Sequence, residues 1–221
     1  IYTGTGTSYS DTGLSSGTTY SYNVYGVTAG GAFGPGASAS ATTDLGEVTK
    51  TVTLNPTSGG SYNGSGSRRH GIGVDSYFSG RYSATWGRQQ SAFHFAIPSD
   101  LRNCIRVDKV EFAIQNDHSY YNDGVTQYMA ISHTQTAGST IPGRTGLFGA
   151  KATAKDGWWG NSQWQNITNL TDPTYGSTVA ENFRARNAWG IHFVAPSDSI
   201  AYYSYWRTSG VQLRLTYTVA S

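Results

Sequence analysis

The sequence predicts an all-β protein, and three observations predict it. Tyr (16) and Trp (6) are abundant, Thr and Val recur throughout, and these residues favour the pleated surface of a sheet. Gly (28) and Asn supply turns, while Glu, a staple of long helices, occurs only at Glu47, Glu111 and Glu181. Apolar residues also alternate with polar ones at period two in several segments, which is the signature of half-buried strands. A length of 221 residues accommodates one large β domain or two smaller ones.

Residues 1–43 read as a first unit. Residues 20–27 alternate as a strand after the turn Leu14-Ser15-Ser16-Gly17 and run into a Gly-rich loop that ends near Pro35. Ser38-Ala39-Ser40-Ala41-Thr42 is a short closing strand, and residues 44–47 are a linker.

Residues 48–221 read as a larger β domain. Residues 50–54 alternate and stop at Asn55-Pro56. Phe93, Phe95 and Ile97 share one face of a strand ending at Pro98. Val110, Phe112 and Ile114 do the same, with Lys109, Glu111 and Gln115 opposite. Residues 128–133 and 189–195 are further strands, and residues 211–219 alternate without a break. Phe93, Phe95, Val110, Phe112, Ile114, Ile191, Phe193, Leu213 and Leu215 are expected in one core. Thr178-x-x-Glu181 fits a capping box, with Val179 and Phe183 on one face of a short helix and Arg184 and Arg186 near its end. Strands separated by long Gly-rich loops, with one short helix, point to a jelly-roll-like antiparallel sandwich. Residues 93–100 and 191–198 echo each other, as strands of one sandwich with the same Pro-Ser-Asp turn would.

Composition also excludes functions. The net charge is +2 and the longest basic run is Arg68-Arg69, so no nucleic-acid footprint is expected. No apolar segment reaches the roughly 18 residues a membrane span needs. Cys104 stands alone, which removes disulfide, Cys-type zinc and CxxC chemistry. His70, His94, His118, His133 and His192 fall in no HExxH or zinc spacing, and no GxSxG elbow is present. Asp117 with Asp123 is the one carboxylate pair worth comparing with a glycosidase dyad. No catalytic residue and no enzyme are expected. No metal or other cofactor is expected either, the single alternative being calcium at the hard oxygens of Asn116, Asp117, Asn122 and Asp123, which lack EF-hand spacing. Ile1 reads as an interior residue of a longer protein.

The segment richest in chemistry is Asp117, His118, Tyr120, Tyr121 and Asn122, which follows a strand and ends in an Asn-Asp-Gly turn signal. Sugar recognition needs aromatic faces for C–H patches beside carboxylates, amides and imidazoles for hydroxyls. The competing reading is a loop whose polar groups satisfy only its own backbone. Trp158 and Trp159, flanked by Gly157 and Gly160, form a second aromatic loop, one of whose rings is expected to anchor in the core. Residues 202–206 put Tyr203 and Tyr205 on the face opposite Tyr202 and Trp206.

Leu14, Gly17, Thr18, Tyr20 and Val24 resemble the second half of a fibronectin type III domain, in which the Tyr forms a tyrosine corner. The resemblance implies that the first three strands come from upstream or from a partner. The stretch 48–221 resembles the C-terminal domain of minor tail proteins of actinobacterial phages. The parallels lie in residues 61–69, 88–95 and 107–111, in Tyr120-Tyr121-Asn122-Asp123-Gly124 and in residues 211–218. That resemblance implies a receptor-binding virion protein at the tail tip that acts extracellularly as a homotrimer among other tail proteins and contacts a host cell-surface glycan. A purely structural spacer, or a carbohydrate-binding module of a secreted glycan-degrading enzyme, are the alternatives.

Overall fold

The structure, a computed structural model, describes residues 2–63, 65–71, 77–81, 84–85, 87–119, 125–133, 151–154, 164–171, 175–185, 187–194 and 204–221. Positions 69–71, 77–79, 88, 115–119, 125–128, 151–154 and 204–209 are placed by their backbone alone. The chain divides into two compact units, Ile1–Val48 with Ala220–Ser221, and Thr49–Val219.

In the first unit β1 (Thr19–Val27) pairs with β2 (Phe33–Thr42) as an antiparallel hairpin. The second strand is twice the length of the five residues expected, because pairing continues through Pro35 to Phe33. Register opposes Tyr20, Tyr22 and Val24 to Ala41, Ala39 and Ala37, and opposes Thr19, Ser21 and Asn23 to Thr42, Ser40 and Ser38. One face is therefore apolar and the other a hydroxyl ladder, in which Thr19 and Thr42 share a hydrogen bond of 2.8 Å. The Ser15 N–H donates to the Tyr20 hydroxyl at 2.9 Å, and the Tyr22 hydroxyl donates to Asp11 at 3.0 Å.

The second unit is an all-β sandwich of antiparallel sheets. Sheet I runs β10 (Lys151–Ala154), β9 (Val125–Ser132), β12 (Gly190–Val194), β7 (Arg88–Phe95), β4 (Pro56–Asn63) and β5 (Arg68–Gly71). Sheet II holds β3 (Glu47–Leu54), β13 (Ser204–Ala220), β8 (Arg106–Ser119) and β11 (Gln165–Asn166). A corner strand, β6 (Tyr77–Arg81), pairs with β13 through Tyr77–Ser79 and with β7 through Gly80 and Arg81. Gly80 sits at φ 87°, a conformation that costs glycine little and lets one strand serve both sheets.

Ring contacts establish the layering. Phe112 of sheet II lies 5.6 Å from Phe193 and 6.2 Å from Phe93, both of sheet I, between centroids. All nine residues expected in the core are found in one buried cluster, and Leu101, Cys104, Val179, Phe183 and Tyr217 extend it at one end. Tilted and edge-on aromatic packing of this kind adds to the burial of each ring.

The helix α1 (Val179–Ala185) starts as its sequence dictates. The Glu181 N–H donates to the Thr178 hydroxyl at 3.2 Å, and the Thr178 N–H donates to the Glu181 carboxylate at 2.6 Å. Val179 and Phe183 are wholly buried. At the other end the Arg102 guanidinium donates to the Phe183 and Ala188 carbonyls, placing a cation at the negative end of the helix.

Candidate functional site

Strand β8 is longer than its sequence suggests. Apolar alternation stops at Ile114, yet the ladder with β13 continues to Ser119, so Asp117 and His118 lie on a strand rather than in the loop expected for them. Across from them, Trp206 of β13 pairs with Asn116, and Tyr205 pairs with His118. Asp117 falls between these two pairs without a Cα partner, so the β8 backbone bulges there. Bulges of this kind kink a strand and are frequent beside functional sites.

Pairing therefore brings Asp117, His118 and Trp206 together at one end of the sandwich, from positions about ninety residues apart in sequence. Tyr120, Tyr121, Asn122, Trp158 and Trp159 lie outside the described residues, as do Tyr202 and Tyr203. Of the oxygens named for calcium, Asn116 and Asp117 lie on β8, whereas Asn122 and Asp123 lie outside the described residues. Among the described residues no group of three or more His, Cys, Asp or Glu is arranged to hold a metal ion.

The same end of the sandwich has a polar interior, which the sequence reading passed over. By alternation from Phe93, Ser91 and Gln89 point between the sheets, and Ser61 stands opposite Ser91. All three are at most 1% exposed. The link to Trp206 is β6, whose Gly80 pairs with Gln89 and whose Tyr77 pairs with Trp206. The signal was present in β7, whose core-facing positions read Gln89, Ser91, Phe93, Phe95, passing from polar to apolar along one face. Burying amides and hydroxyls costs free energy unless hydrogen bonds compensate, so such a gradient marks an end of the core that is built differently.

Away from this end the charged groups are structural. Glu111 accepts from Arg214 at 2.7 Å and pairs with Lys109 at 2.8 Å, and these cations hold its carboxyl below the usual carboxylate range. The Trp164 ring lies 4.2 Å from the Arg214 guanidinium and covers the cluster. Tyr217 donates to Asp100 at 2.9 Å, and burial together with that carboxylate pushes its hydroxyl up to about 12. Burial likewise pushes the Cys104 thiol up, which makes it a poor nucleophile.

The first unit carries an aromatic pair that the sequence reading did not single out. Tyr25 and Phe33 meet edge to face at 6.0 Å beside the hairpin turn, and both rings are exposed. Among the described residues no helix is long and apolar enough to cross a membrane. No protein-family model and no curated protein matches this chain.

Proposed function

We propose that this chain is a phage tail-tip adhesin whose sandwich contacts a glycan of the host cell envelope, working outside the cell as part of the virion. The observation that carries the reading is the register that pairs Trp206 with Asn116 and Tyr205 with His118, with the bulge at Asp117 between the two pairs, near the polar end of the sandwich. A carboxylate, an imidazole and an indole are the groups that a sugar ring requires, the first two for hydroxyls and the last for its C–H face. Tyr120, Tyr121 and Asn122, which directly follow β8 in sequence, and the separate aromatic loop of Trp158 and Trp159 belong to the proposed site. Trp206→Ala, Tyr120→Ala and Tyr121→Ala are each expected to weaken binding to intact host cell walls by roughly 1–3 kcal/mol, with the melting temperature unchanged. Asp117→Asn and His118→Ala are expected to weaken it further through lost hydrogen bonds to hydroxyls. Wild-type affinity in all five variants would defeat the glycan site and leave the domain a spacer.

Assembly belongs to the same proposal. The hairpin supports the fibronectin type III resemblance, since a Tyr hydroxyl bonded to backbone a few residues upstream is what a tyrosine corner makes. On its apolar face Val24 is 69% exposed while Tyr20 and Tyr22 are half-buried, which leaves room for a further layer of a sandwich. Association with other tail proteins in a homotrimer is the form proposed. Light scattering that reports a monomer for the full-length protein would contradict it.

A further inference from the structure

The hydroxyl ladder of the β1–β2 hairpin ends in the exposed aromatic pair, and register shows how Tyr25 and Phe33 come to share that face. Alternation along β1 puts Tyr25 and Val27 on the face of Thr19, Ser21 and Asn23. On β2, strict alternation from Ser38 and Gly36 would send Phe33 to the opposite face. The step from Gly36 to Phe33 takes three residues of β2 against two of β1, and this bulge sets Phe33 opposite Val27 instead. The turn beyond is closed by its own hydrogen bonds. The Thr28 N–H donates to the Ala32 carbonyl at 2.9 Å, and the Ala32 N–H donates to the Thr28 hydroxyl at 3.1 Å.

The two rings form a corner. Their planes stand 80° apart, Tyr25 is 51% exposed and Phe33 74%, and a cleft of about 360 Å³ opens against them. The Tyr25 ring lies across Gly36, where a Cβ would come within 3.0 Å of three of its atoms. Glycine is therefore what lets the ring rest on the strand. Next along the face, the Ser38 hydroxyl donates to the carboxamide oxygen of the exposed Asn23, which leaves the amide NH2 group to donate elsewhere. Ser21, Ser40, Thr19 and Thr42 continue the row of exposed polar groups. At roughly 3.3 Å per residue, the face runs about 20 Å from Thr19 to Tyr25.

We propose that this face is a second binding site, for an uncharged glycan chain. One sugar ring packs into the corner of Tyr25 and Phe33, and the next ones hydrogen-bond to Asn23, Ser38 and the hydroxyls beyond. Charge and composition together select that ligand. Residues 1–48 contain no Lys, Arg or His, and no charged residue lies between Asp11 and Asp44. A nucleic acid, a phosphate-rich polymer or an anionic lipid finds no counter-charge on this unit. An acyl chain or an apolar protein surface would cover the rings, but it would desolvate the amide and hydroxyl row without replacing its hydrogen bonds. A sugar chain presents C–H patches and hydroxyls side by side, and the length of the face suits several rings rather than one. The further sandwich layer proposed for the hairpin lies on its opposite face, so both can be occupied at once. The site shares no residue with the one on the sandwich and does not depend on it.

Amide NMR on the 221-residue chain tests the proposal, with uncharged oligosaccharides of glucose, galactose, mannose and arabinose as probes. At least one probe is expected to shift the amides of Asn23, Tyr25, Phe33 and Ser38. Tyr25→Ala and Phe33→Ala are each expected to weaken that binding roughly fivefold or more, with the melting temperature unchanged because both rings are exposed. Gly36→Ala is expected to weaken it as well, by displacing the Tyr25 ring. No shift in the hairpin with any probe would overturn the proposal, and so would unchanged affinity in both ring variants. Shifts at the same amides with phosphatidylcholine vesicles alone, or with rising protein concentration alone, would overturn it in favour of a lipid surface or a second copy. Amides of β8 and β13 report the sandwich site separately, so failure at one site is distinguished from failure at the other.

Discussion

The β1–β2 hairpin and the β7–β8 region of the sandwich alternate alike and end in opposite environments. In the hairpin, Tyr20, Tyr22 and Val24 share a face with Ala37, Ala39 and Ala41, yet Val24 is 69% exposed. In the sandwich, Phe93, Phe95, Phe112 and Ile114 follow the same period, and each is at most 1% exposed. The difference teaches that alternation selects which face is apolar, while only a second layer decides whether that face is buried. The hairpin has one sheet, in which Tyr20 and Tyr22 are half-buried and hydrogen-bond with Ser15 and Asp11 while Val24 stays exposed. The sandwich has two, and its aromatic rings interlock across the gap.

The largest expected effect breaks this comparison most directly. Phe112→Ala removes a ring that touches Phe93, Phe95 and Phe193, and it should cost about 3–5 kcal/mol of stability. Val24→Ala, at an equivalent alternating position that is exposed, should cost less than about 0.5 kcal/mol. Chemical denaturation of both variants measures the contrast. A large loss at Val24 would mean that the hairpin face is covered in solution.

Glycines sharpen the same contrast at a smaller scale. Gly190→Ala thrusts a methyl group against the Phe93 carbonyl, a backbone atom held in a paired strand, and should cost about 1–3 kcal/mol. At Gly36 the atoms nearest to an added Cβ all belong to the Tyr25 ring, an exposed side chain that can turn away more readily than a paired backbone. Its effect should be close to zero, and thermal unfolding of the two variants separates them.

What the sequence disclosed follows the same division. Local periodicity was enough to identify all nine core residues, because a strand half-buried in a sandwich must alternate. The Thr178–Glu181 cap was legible because its four residues contain the whole motif. Asp117 and His118 were misassigned to a loop because their strand status depends on pairing with residues 204–206, which no local pattern records. Trp206 joins them for the same reason. The face of sheet I turned away from the core was harder still. Gly190 looks like a weak strand residue until register sets it between His94 and Ser132, which share a hydrogen bond across it.

The smallest expected effect compares one local hydrogen bond in each unit. The Thr178 hydroxyl accepts from the Glu181 N–H at the start of a helix whose next residue, Val179, is wholly buried. Thr178→Ala leaves that N–H without its acceptor and should cost about 1 kcal/mol, the usual value of a helix cap. The Tyr20 hydroxyl accepts from the Ser15 N–H on the exposed hairpin, where water can take its place. Tyr20→Phe should therefore cost no more than about 0.5 kcal/mol, at the low end for a hydrogen bond. If instead Tyr20→Phe matched or exceeded Thr178→Ala in urea denaturation, the Ser15–Tyr20 contact would be shielded from water, and the hairpin would have to be regarded as packed. That result would reverse the comparison between the two units, because a solvent-exposed strand pair cannot make one peripheral hydroxyl worth more than a helix cap seated on a closed core.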